Sequence, residues 1–76
     1  MDIAYGTKVY DSNKKQIGLL IKTYNLKYAD NPNLMGAKVV NIKGKAYPTR
    51  LDNLVPVEDL EDEQLKAFNI PEWFIR

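Results

Sequence analysis

The alternation of apolar and polar residues starts at Lys8-Val9-Tyr10, which reads as a short strand with Val9 inward and its neighbours outward. Asp11-Ser-Asn-Lys-Lys15 is rich in turn formers; Asn13 tolerates positive φ, so the chain is predicted to reverse here. From Gln16 to about Lys22, Ile17, Leu19 and Ile21 alternate onto one face. That register puts Leu20 on the outside and Gly18 where a neighbouring chain approaches closely. Past Lys22 the apolar set becomes Tyr24, Leu26 and Tyr28. One regular strand cannot bury both sets on one face, so a bulge or bend is predicted near Lys22-Thr23.

Ala29-Asp-Asn-Pro-Asn33 is a loop by composition. A third strand is predicted from Gly36 to Lys43, with Val39, Val40 and Ile42 as its apolar members. Asn41-Ile-Lys-Gly-Lys45 closes a tight hairpin in which Gly44 takes the positive-φ position. Ala46 to Arg50 forms a fourth strand, which Pro48 confines to an edge or a non-bonded position. Leu51 and Leu54, three apart, fit one helical turn before a short fifth strand, Val55-Pro-Val57. From Glu58 the period lengthens to that of a helix. Asp59 and Asp62 make an approximate capping arrangement, and acidic residues crowd the first turns where the helix dipole favours them. Leu65 and Phe68 form the apolar face, Asn69 is the stop, and Pro71 opens a last turn carrying Trp73, Phe74 and Ile75.

Five short strands with a one-turn helix before the last resemble a Src-homology-3-like small β-barrel. The motifs Gly6-Thr-Lys-Val9, Ile17-Gly-Leu-Leu20 and Leu54-Val-Pro-Val57 are similar to the opening and closing strands of its PRC-barrel and KOW-type branches. The resemblance covers roughly residues 5–58 and departs in the Asn25–Met35 segment and the acidic tail. It implies a mainly β fold: a barrel over residues 1–58 and a C-terminal acidic helix and aromatic turn, 59–76, packed on it as part of one domain. Barrels of this kind serve as RNA-binding, DNA-binding and protein-docking modules, so the resemblance constrains fold more than function. The short length and acidic appendix also resemble small accessory proteins of bacteria and their phages.

Charge divides the chain in two. Residues 1–50 carry nine Lys/Arg against three Asp/Glu, a balance of +6, whereas residues 51–76 carry two against seven, a balance of −5. Either the halves dock on each other, or the basic half presents a binding face. At 76 residues the chain is near the lower limit for one unstapled core, and without cysteine no disulfide can assist. An apolar share of 45% argues against disorder along most of the length. The opening Met-Asp-Ile-Ala-Tyr-Gly has neither a basic region nor an apolar stretch, so no signal peptide is expected. With no apolar run long enough to span a bilayer, a cytoplasmic location is expected.

The absence of histidine removes the usual general base and the usual nitrogen ligand for zinc. The acidic side chains Asp59, Glu61, Asp62 and Glu63 are explained by helix capping, Asp30-Asn-Pro-Asn33 lacks a calcium-loop spacing, and the four glycines form no phosphate cradle. No enzyme activity, cofactor or metal is expected. Two surfaces remain as candidates. Lys8, Tyr10, Lys22, Tyr24, Lys27, Tyr28, Lys38, Lys43, Lys45 and Tyr47 interleave cations with rings, a pattern suited to phosphate neutralisation and base stacking. Trp73, Phe74 and Ile75 must pack on the barrel or on a protein partner. If they cover the outward Leu20 together with Leu65 and Phe68, Trp73→Ala should be strongly destabilising. A protein-interaction module is the primary expectation, with an unidentified protein partner and a monomeric or small homo-oligomeric state. Single-stranded RNA or DNA binding is the alternative.

Overall fold

The computed structural model describes residues 3–25 and 35–75; Leu26, Lys27, Tyr28 and the Asp30-Asn-Pro-Asn33 segment lie outside these. Five strands are present, β1 (Lys8–Asp11), β2 (Gln16–Asn25), β3 (Met35–Asn41), β4 (Ala46–Arg50) and β5 (Leu54–Pro56). One-turn 3-10 helices at Leu51–Asn53 and Val57–Asp59 flank β5, and two short helices follow, α1 (Asp62–Ala67) and α2 (Glu72–Ile75). The fold is mainly β, with all strands antiparallel in one sheet ordered β4-β3-β2-β1-β5. The sheet is open among the described residues: β4 and β5 are its edges. Pro48 lies on edge strand β4, where a missing N–H is tolerated.

Both sheet faces are covered, which corrects two of the alternation readings. Leu20 is fully buried, while Ile21 is exposed, so the inward set of β2 is Gly18 and Leu20. Val9 pairs with Gly18 and Leu20 with Val39, and Val9, Leu20 and Val39 join Ala37, Leu51 and Leu54 in a first core. The Leu51–Asn53 turn roofs this core as the chain crosses from one sheet edge to the other, touching β3 on the way. Gly18 faces inward because nothing larger fits: a Cβ there would lie within contact distance of the Val40 carbonyl. The bulge falls at Ile21, between the pairs Leu20–Val39 and Lys22–Lys38. It shifts the apolar parity along β2 one residue earlier than the Lys22-Thr23 position read from the pattern.

Tyr10, next to Val9, is not outward either: it is buried because a second core gathers on the opposite face of β1, while Asp11, on the same face as Val9, is buried where Tyr47 reaches it. In the second core Tyr10 and Val57 meet Ile70 and Phe74, with Ile17, Leu60, Leu65 and Ile75 packed around them. Full burial of one such side chain is worth about 1.5–3 kcal/mol, so this second cluster matters to so small a domain.

The route of the C-terminal segment explains which residues enter that cluster. The Glu61 N–H donates to the Gln64 side chain (2.9 Å), opening α1 two residues after the Asp59 start suggested by the capping pattern. At the other end Asn69 takes φ 57°, the Ile70 N–H reaches back to the Leu65 carbonyl (3.0 Å) and the Asn69 N–H to that of Lys66 (3.1 Å). This closing pattern brings Ile70 and Leu65 together on the apolar side of the turn. A Phe74 N–H bond to the Pro71 carbonyl (3.0 Å) then starts the last turn. Phe74 is four residues beyond Ile70 and shares its inward side, which leaves Trp73 pointing away.

Candidate functional site

Two tight turns build one wall of the candidate site. In the β1–β2 turn the Asp11 carboxylate accepts the N–H groups of Asn13 (2.9 Å) and Lys14 (3.1 Å), and Lys15 closes the turn at φ 56°. The positive φ thus falls on Lys15, not Asn13, because the Asp11 side chain already organises the two residues before it. In the β3–β4 hairpin the Asn41 side-chain oxygen accepts from Lys43 and Lys45 (3.0 Å each), with Gly44 at φ 81°. The strand ends at Asn41, so Ile42 is a turn residue and stands 55% exposed. An Asn41 to Gln16 side-chain bond (3.4 Å) ties the two turns to each other.

The opposite wall is the C-terminal segment. Phe68 is stacked flat on Tyr10, with ring centroids 4.4 Å apart and planes 7° from parallel. Phe74 is buried and lies under the Lys8 ammonium, 5.8 Å from the ring centroid. Trp73 stays 65% exposed, edge-on to Phe74 at 6.1 Å.

Between the walls run two hollows of about 510 and 320 Å³. The first is bounded by Lys15, Ile17, Lys43 and Phe68, the second by Leu19, Val40, Trp73 and Phe74. Both include Asn41 and Ile42, so the two hollows adjoin along these residues and together make up the trough beside the C-terminal segment. The second hollow is mostly apolar and the first is mixed, with Gln16, Asn41 and Asn69 among its lining; the described lining residues of the two include Lys8, Lys15 and Lys43 and no Asp or Glu.

The lysine and tyrosine residues separate into several environments. Tyr10 is covered by Phe68 and has no free ring face toward the sheet surface. Tyr47 lies on the opposite face and donates its hydroxyl to the buried Asp11 carboxylate (3.2 Å). Burial, the Asp11 charge and that hydrogen bond raise its phenol above the ordinary range. Lys22 and Lys38 are direct cross-strand partners, and Tyr24 and Arg50 both flank Gly36 on the same face. A Cβ at Gly36 would strike the Tyr24 ring, so the ring lies against the sheet. Lys43 and Lys45 are exposed on the hairpin, and Lys27 and Tyr28 lie outside the described residues.

Of the terminal trio, Phe74 and Ile75 belong to the second core and Trp73 alone projects from it. Leu20, the expected docking point for this segment, is in the other core. Ile42, Leu19 and Val40 were not anticipated as site residues. A signal was present for Ile42, since a β-branched side chain in an Asn-x-Lys-Gly turn is poor turn chemistry.

Among the described residues no cluster of acidic side chains fits a metal ion, and no helix is long and apolar enough to cross a membrane. Comparison with protein-family profiles, curated protein sequences and solved structures finds no match.

Proposed function

We propose that this chain is a non-enzymatic protein-interaction module of the Src-homology-3-like plan, acting as a small accessory factor through the trough beside Trp73. The strand order, with β5 beside β1 and a one-turn helix just before it, supports that plan. The observation that carries the function is Trp73, 65% exposed beside Ile42 at 55%, across an apolar hollow. Tryptophan is the side chain most enriched at energetic centres of protein interfaces, and a chain this small gains nothing in its core from an exposed one. The test is co-purification from cells with wild-type protein and Trp73→Ala. A partner retained by wild type and lost by the variant is expected; equal recovery by both would refute the role of the trough.

Single-stranded nucleic-acid binding remains the second reading, and one observation favours it. Lys22 directly faces Lys38, with Arg50 on the same face, and like charges directly opposed on a sheet are unfavourable unless an anion relieves them. Oligonucleotide binding by these three cations would show a log–log salt slope near about −2. The loss of Tyr10 and Tyr47 to packing and hydrogen bonding makes this the weaker reading. Absence of binding at low salt would eliminate it.

A further inference from the structure

We infer that Pro48 keeps this chain from pairing with itself along β4: the free edge of that strand matches a second copy at Ala46 and Arg50, and Pro48 blocks the middle. Among the described residues the sheet ends in β4 and β5, and each of these edge strands carries a proline. The hydrogen-bond phase of the ladders fixes where the prolines point. The Asn41 N–H donates to the Lys45 carbonyl (2.9 Å), so Asn41 and Lys45 are a hydrogen-bonded pair. Along the unbroken register Val39–Tyr47 and Ala37–Thr49 repeat that phase, so Ala46, Pro48 and Arg50 turn their backbone N positions away from β3. The Ser12 N–H donates to the Asn53 carbonyl (2.9 Å), and the same alternation turns Leu54 and Pro56 away from β1.

The two edges are closed to different degrees. On β5 the Leu54 N–H is taken by the Leu51 carbonyl and Pro56 has none, so the outer side of that short strand offers no donor. On β4 the Ala46 and Arg50 N–H groups have no backbone partner among the described residues, and only the position between them lacks a donor. Such an edge is complementary to itself when run antiparallel about residue 48, the geometry of a two-fold dimer. Arg50 of each copy then faces Ala46 of the other, and Tyr47 faces Thr49, so no like charges are opposed. At the centre Pro48 meets Pro48 of the second copy, where two carbonyls oppose each other with no N–H between them and the rings collide. This edge is separate from the trough, whose described lining includes no residue of β4.

The experiment compares the intact chain with Pro48→Val and Pro48→Ala by sedimentation over a range of concentrations and by amide hydrogen exchange. In the wild type the Tyr47 and Thr49 amides are expected to be protected, and those of Ala46 and Arg50 to exchange rapidly although they lie in the same strand. Pro48→Val is expected to fold, because the lost ring faces no ladder bond. Its mass should rise toward twice that of the monomer with concentration, with protection appearing at Arg50 and at the new amide of position 48. The association should persist when Trp73→Ala is added, and should be weaker in Pro48→Ala, which has lower strand preference. Wild-type protection of Arg50 equal to that of Thr49 would overturn the inference, since the edge would then be covered. A folded Pro48→Val that stays monomeric, or an association abolished by Trp73→Ala, would overturn it too. So would failure of both position-48 variants to fold, which would make the proline a requirement of the strand itself.

Discussion

The Asp11 carboxylate is fully buried and accepts two backbone N–H groups of its own turn and the Tyr47 hydroxyl from across the sheet. Replacing it with alanine removes the turn's side-chain acceptor for the Asn13 and Lys14 N–H groups and leaves the half-buried Tyr47 hydroxyl without its partner, an effect of about 3 kcal/mol. For a domain of this size, a fall in melting temperature of more than about 10 °C is expected for Asp11→Ala. Tyr47→Phe removes one donor and should lose about 1 kcal/mol. The same contact sets the alkaline behaviour. Because folding raises the Tyr47 phenol above its unfolded value, its contribution is intact below about pH 10 and declines as pH rises past that point. Tyr5 has the opposite sign: the Thr23 hydroxyl and N–H bonded to its exposed phenol lower it. In an ultraviolet absorbance titration, Tyr5→Phe should therefore remove absorbance change from the early part of the curve, and Tyr47→Phe from the late part. At Gly18 an added methyl group would press on the Val40 backbone, so Gly18→Ala should destabilise by about 1–3 kcal/mol in a chemical melt.

At the scale of elements, the boundaries of β4, the β3–β4 hairpin and the 3-10 turn before β5 were legible in the sequence, because turn chemistry marks them residue by residue. Pro48, Gly44 and the Leu51–Leu54 spacing each admit few local structures. The faces of β1 and β2 were not legible. Alternation reports a face only when one side is wet, and here two cores cover opposite sides, so Ile17, Leu19 and Leu20 all find apolar surroundings. The C-terminal segment is helical, as its period predicts, but it docks on Tyr10 and Val57 rather than on Leu20. Leu65 and Phe68 were identified, whereas Ile70 was missed, because the left-handed Asn69 turns it inward after the helix has ended. Phe74, spaced four from Ile70, then takes the buried place that size alone would give to Trp73. The consequence for stability is a reversal of the expected order. Phe74→Ala should lose about 3–5 kcal/mol, while Trp73→Ala should change stability by less than about 1 kcal/mol. Thermal melts of the two variants side by side measure this difference. Deletion from residue 59 onward removes Ile70 and Phe74 from Tyr10 and Ile17, and is expected to leave an aggregated or unfolded chain.

For the whole molecule, the division into a basic sheet and an acidic tail was visible as a running count of charges, but its arrangement was not. The count allowed either mutual docking of the halves or a free basic face. In the folded chain the contact between tail and sheet includes the apolar side chains Tyr10 and Val57 against Ile70 and Phe74 and the Lys8 ammonium over the Phe74 ring, and Lys8, Lys15 and Lys43 are among the residues that line the trough along it. The site could not be read from sequence because its residues come from four separate segments, brought together only by the sheet register and the turn at Asn69. The central claim is that Trp73 is held out of the core as a contact residue. Trp73 is the single tryptophan of the chain, so its fluorescence reports on that residue alone. In the folded monomer its emission maximum and quenching by a neutral quencher should lie close to those of the denaturant-unfolded chain, with a blue shift appearing only when a partner binds. A blue-shifted, protected tryptophan in the free monomer that moves to the red on unfolding would contradict the claim and return Trp73 to the core.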